Sequence, residues 1–200
     1  MPFTLAIFGV ILSYTWFPAP SFPGKAEGVP VVLVVALAVW HDVRHREWGF
    51  DWRALPSELG ATALLTIPLA LLLLAAGSAA GTLHDRRDSL ATLGVLILWG
   101  GAQQWILQTV VLREAQRAKG RRRGVVVAAL LFAAVHLPNP MLSTVTLAGA
   151  LGWCAIYDRY PNIVPLALSH AIGTLAILHA FDDRITGGLR IGYAFLARRP

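Results

Sequence analysis

Residues 59–80 (LGATALLTIPLALLLLAAGSAA) carry no charged side chain, and about 20 apolar residues in a helix are enough to cross the hydrocarbon core of a bilayer. Residues 89–112 form a second such run, broken only by Gln103, Gln104 and Gln108. Residues 124–137, 141–157 and 163–181 give three more, and 3–17 and 29–43 two shorter ones. The expected fold is therefore all-α: a polytopic transmembrane helix bundle of about seven helices. Bulk composition agrees. Of 200 residues, 56% are hydrophobic and 14% charged, whereas a soluble domain carries about a quarter charged residues to hydrate its surface. The opening Met-Pro-Phe run has no basic flank and no small-residue cleavage site after it, so it reads as a retained helix.

The segments between the runs are turn-rich or charged, among them residues 18–28, 45–56, 82–88, 113–124, 137–140 and 158–162. The net charge of +6 sits in these short connections, a pattern that suits anionic lipid headgroups and gives no nucleic-acid face. Alternating seven spans puts Arg44, Arg46, Arg53, Arg113, Arg117, Lys119, Arg121, Arg122, Arg123 and Arg159 on one side. Lys25, Arg86, Arg87, Arg184, Arg190, Arg198 and Arg199 fall on the other. The cluster at 113–123 makes its side the expected cytoplasmic one. Trp16, Trp40, Trp48, Trp52, Trp99 and Trp153 fall mostly near helix ends, as an interfacial belt requires; Trp99 and Trp153 serve equally well as core aromatics. One cysteine, Cys154, excludes an internal disulfide.

Polar side chains inside lipid cost free energy unless partnered, which makes them functional candidates. Counting from the basic side at 1.5 Å per residue, Gln103 lies about 13 Å in, His136 about 18 Å and His170 about 10 Å. Three helices thus bring polar groups to similar depth, which points to a shared buried site. Within each helix the offset is four, the spacing of one helical face: Gln104 and Gln108, Phe132 and His136, His170 and Thr174. The plainer reading is that paired glutamines bond across to neighbouring helices and that a buried histidine simply packs. His41 and His45 share the same offset, but a place at a helix end beside Asp42 and Arg44 favours an interfacial face over a metal. Glu114, at a helix end by the basic loop, is expected to pair with Arg117 or its neighbours.

The series Gln103-Gln104-x-x-x-Gln108, Phe132-x-x-x-His136 and His170-x-x-x-Thr174 resembles the CPBP family, the CAAX protease and bacteriocin-processing enzymes of membranes. That family's motifs are EExxxR, FxxxH and HxxxN. The order and spacing agree, with 33 positions from Gln103 to His136 and 34 from His136 to His170. The resemblance divides the chain into N-terminal transmembrane helices (1–88), a core carrying the motifs (89–182) and a short tail (183–200). It implies an intramembrane endopeptidase cleaving a membrane-embedded or lipid-modified C-terminal tail, in a bacterial inner membrane. By the same resemblance Gln103, Gln104, His136, His170 and Thr174 hold the catalytic positions, with Gln108 and Phe132 beside the substrate.

Both glutamates of the first motif are amides here, the arginine is Gln108 and the asparagine is Thr174. A carboxamide donates and accepts hydrogen bonds but does not act as a base near neutral pH. An arginine has no buried carboxylate left to balance. Two outcomes follow: His136 or His170 carries the base role, oriented by Gln103 or Gln104, or the cavity only binds a hydrophobic or lipidated peptide for a partner. No cofactor is expected. Neither is a metal, since two histidines fall short of a zinc set and amide oxygens are poor zinc ligands.

Overall fold

The structure, a computed structural model, describes residues 1–17, 28–85 and 89–197, with the side chains of residues 89 and 90 not described. Helix α1 is Pro2–Trp16, α2 is Gly28–His45 and α3 is Leu55–Ala79. Helix α4 begins as Ser89–Trp105, widens into a π-helical segment at Ile106–Leu112 and finishes as Arg113–Lys119. Helices α5 (Arg121–Ala134), α6 (Pro140–Arg159) and α7 (Ile163–Ala180) complete the bundle, followed by the short α8 (Asp183–Thr186) and α9 (Gly192–Leu196). The expected all-α bundle is what forms. Among the described residues five helices, α2, α3, α4, α6 and α7, are long and apolar enough to cross a membrane, and α1 is a shorter apolar helix. Helix α5 spans 14 residues and opens on three arginines.

Local sequence sets the boundaries. Gly120, at φ 82°, separates α4 from α5, a backbone conformation that costs a residue without Cβ nothing. Pro138 and Pro140 stop α5 and start α6, where Asn139 accepts from the Leu142 amide at 3.1 Å. Asn162 caps α7 in the same way at Val164 (3.0 Å).

Helix α7 is the axis of the bundle, with α3 and α4 packed along it and α6 packed on α5. Glycines allow the close approach: a Cβ on Gly77 would strike the Ala180 backbone, and one on Gly100 would sit 3.2 Å from the His170 side chain. The outer surface is apolar. Leu64 is 79% and Leu98 78% exposed, as lipid-facing positions must be when no water hydrates them.

The long helices alternate in direction. At one end the 46–54 loop pairs with 160–163, through Ile163 N–H to the Gly49 carbonyl (2.9 Å) and Asp51 N–H to the Pro161 carbonyl (2.9 Å). Arg117 reaches Glu47 (2.8 Å) here, and Arg121 binds Asp158. At the other end Thr82 binds the Ala180 carbonyl (2.7 Å), and Gly192 N–H binds the Leu137 carbonyl (2.8 Å). The described basic residues therefore divide between the ends as the alternation requires. Lys25, Arg86, Arg87, Arg198 and Arg199 lie outside the described residues.

Several side chains take partners that local sequence does not suggest. Glu114 is 5% exposed and forms no surface ion pair. It accepts from the amides of Thr4 (2.8 Å) and Phe3 (3.4 Å), capping α1 from 110 residues away, while Glu47 takes Arg117. Free amides at a helix N-terminus are strong ligands for a carboxylate. Losing such a cap costs about 1 kcal/mol, so Glu114→Ala is expected to lower thermal stability in lipid nanodiscs by that amount. An unchanged midpoint would show that α1 is held by packing alone. His41, expected at an interface, is wholly buried; its Nδ1 meets Asp42 at 2.9 Å, and Asp42 also accepts from Trp105 Nε1 at 2.6 Å. This cluster joins α2 to α4. Trp99 is 59% exposed and Trp153 6%, so of the two residues left open Trp153 is a core aromatic and Trp99 is not.

Candidate functional site

The site begins in α4, where the bare backbone of Gly100 lets α7 approach. One turn later Gln104, wholly buried, places its amide Nε2 3.2 Å from Nδ1 of His170. Its Oε1 accepts from Gln108 Nε2 at 2.9 Å. Gln108 lies in the π-helical segment, a widened turn of the kind that gathers at functional sites. It is wholly buried and its own Oε1 has no partner. The Cys154 thiol lies beside its side chain.

Two aromatic side chains hold the His170 ring. Trp153 stacks on it, centroids 5.0 Å apart and planes 9° apart, and the Phe132 ring meets it edge-on at 6.1 Å and 87°. Phe132 also meets His136 at 5.0 Å. One phenyl ring thus touches both histidines. The Trp153 indole donates to Ser169 Oγ (2.8 Å), Ser169 and Thr66 hydroxyls meet at 2.5 Å, and Thr66 donates to the Thr62 carbonyl (2.7 Å). Trp153 and so His170 are anchored to α3 by this chain.

The hydrogen bonds assign the histidine tautomers. Helix α5 stops at Ala134, which frees the Phe132 carbonyl, and Nδ1–H of His136 donates to it at 2.8 Å. That leaves His136 Nε2 with its lone pair. His170 is the converse: Nδ1 accepts the Gln104 amide, so Nε2 carries the proton. The cluster therefore offers one proton acceptor and one N–H donor on either side of Phe132, the two groups that hydrolysis of an acyl bond uses.

Of the seven residues singled out from sequence, the structure brings together Gln104, Gln108, Phe132, His136 and His170. Two lie outside the cluster. Gln103 is partly exposed and makes no hydrogen bond among the described residues, because consecutive helical residues diverge by about 100° and only one of a pair can face inward. Thr174 donates to the carbonyl of His170 in its own helix at 3.0 Å, so its hydroxyl proton is engaged. Gly100, Trp153, Ser169 and Thr66 were not foreseen. The four-residue spacing of Thr62 and Thr66 in an otherwise apolar run was the readable signal for the last. No group of three or more histidine, cysteine or acidic side chains converges among the described residues.

A bundle with this outer surface and a polar histidine cluster in its interior is an integral membrane protein with a buried site. Residues 85–176, just under half of the chain, match the family model described as type II CAAX prenyl endopeptidase Rce1-like. The match covers α4 through most of α7 and every motif residue. No curated protein and no solved structure matches the chain.

Proposed function

We propose that this protein is an intramembrane endopeptidase that cuts a membrane-embedded or lipid-modified C-terminal tail, using His136 Nε2 as the base that takes a proton from water. His170 Nε2–H, held by Gln104, faces the oxyanion that then develops. Gln108 and Trp153 are positioning residues, and Phe132 spaces the two imidazoles. The observation that carries this reading is the opposite bonding of the two Nδ1 atoms, one against the Phe132 carbonyl and one against the Gln104 amide, in rings packed on one phenyl. The arginine-rich end is read as cytoplasmic, in a bacterial inner membrane.

A second reading, a non-catalytic receptor for the same tail, is favoured by one observation: among the described residues no acidic side chain bonds His136 or His170. One experiment separates them. Purified protein in vesicles is given a peptide with a hydrophobic C-terminal tail, and products are read by mass spectrometry. Cleavage by the wild type, absent in the His136→Ala/His170→Ala variant, is the expected result. Tail binding without turnover in either protein would leave the receptor reading in its place.

A further inference from the structure

The buried face of the first three turns of α3 is polar. Glu58, Thr62 and Thr66, four residues apart, are 0%, 3% and 6% exposed in a helix that is mostly leucine and alanine. Thr66 is engaged, as described, with Ser169 and the Thr62 carbonyl. The other two are not: neither oxygen of the Glu58 carboxyl, which has the Asn162 backbone amide beside it, nor the buried Thr62 hydroxyl makes a hydrogen bond of good geometry. Each such group costs about 1–3 kcal/mol when nothing satisfies it, and a carboxyl more. Three such oxygens adjacent on one helix face are a polar lining rather than packing, and buried water is the ligand that such groups take.

The stripe has two defined ends. At the outer end, the 46–51 loop that leads into α3 lines a cleft with Arg113, Tyr157, Asp158 and Pro161 at the arginine-rich end, and Asn162, beside the Glu58 carboxyl, follows Pro161 directly. About 12 Å further along α3, Thr66 meets Ser169, and Ser169 meets the indole stacked on His170. We propose that Glu58 and Thr62 hold water, and that the stripe they begin is the route by which water passes from the surface cleft to His170 and His136. A hydrolase buried in lipid consumes one water per bond cut, and hydrocarbon supplies none. The stripe lies outside the segment matched to the family, in α3. The use of this water rests on the peptidase reading; its presence does not.

Radiolytic hydroxyl-radical footprinting tests the route in the full-length protein in nanodiscs, because radicals formed from bound water oxidise the side chains beside it. Trp153, 6% exposed, is the native reporter, and Trp52, 63% exposed in the surface loop, is the reference. Trp153 is expected to oxidise within about tenfold of Trp52, and several-fold more slowly in Thr62→Val and in Glu58→Leu. Thr62→Val is nearly isosteric and removes an unsatisfied group, so it is expected to fold at least as stably as wild type. A Trp153 protected in the wild type overturns the proposal. So does a Trp153 oxidised equally in wild type and Thr62→Val, which would bring water in by another way. Oxidation that depends on Thr62, in a protein that cleaves nothing, would uphold the route and sink the peptidase reading instead.

Discussion

His136→Ala is expected to lower cleavage of a tail peptide about a thousandfold, within the range that a positioned general base contributes. His170→Ala is expected to cost about a hundredfold, as loss of one oxyanion donor does. The asymmetry follows from the geometry. The His136 ring has a fixed Nδ1 donation to the Phe132 carbonyl at 2.8 Å, and nothing else at hand can take a proton from water in its place. His170 supplies an N–H, which a water molecule can partly replace. Removing both should cost little more than removing His136 alone, because groups that act in one step are not additive. The measurement is kcat and KM for each variant in vesicles. Equal losses, or a change confined to KM, would mean that the two rings do not divide the roles of base and donor.

The spans could be read from the sequence because run length against bilayer thickness is a one-dimensional comparison, and residues 59–80 or 163–181 satisfy it without any partner. The motif histidines could be read for the same reason: each is a costly group in an apolar run. Choosing between Gln103 and Gln104 was another matter. The choice depends on rotation about α4, which is fixed by Gly100 pressing on α7 and by the wide turn at Ile106–Leu112, and neither leaves a mark on local periodicity. Glu114 shows a second limit. Its ligands are amides at the other end of the numbering, and a backbone N–H has no residue-type signature.

Ser169 leaves no signal in the sequence, and Trp153 reads there only as a belt or core aromatic, because tryptophan and serine are ordinary in membrane helices and their meaning here lies in whom they touch. Glu58 is the instructive case. It stands one residue outside the uncharged run, where a carboxylate looks like a helix-end residue in water. The structure buries it completely, because the 46–54 loop folds over that end and pairs with the start of α7. Hydropathy measures the span and is blind to the loop that closes over it.

Restoring the acidic motif should fail one residue at a time and succeed in part as a pair. In Gln104→Glu the new side chain keeps the donor at Gln108 but loses the N–H that it gave to His170, and it puts a charge where nothing balances it. A buried charge without a partner costs about 3–5 kcal/mol, and the variant is expected to lose that much stability. His170 regains a bond only with a proton on Nδ1, either by moving its one proton there, which strips Nε2 of the donor that the proposed mechanism uses, or by taking a second proton, which puts another charge in the buried site. Gln108→Arg alone is costly for other reasons, since it crowds the space beside Cys154 and brings an unpaired cation. Together the two charges stand at the four-residue offset already bridged at 2.9 Å by Gln108 and Gln104, and each offsets part of the other's penalty. Thermal unfolding of the four proteins in one lipid gives the coupling, expected at about 2 kcal/mol in favour of the pair. Strict additivity would mean that positions 104 and 108 do not share a pocket. The double variant also gains a carboxylate near His170, so turnover that rises with the pair and not with either single change would tie the amides in this chain to a muted form of the family's chemistry.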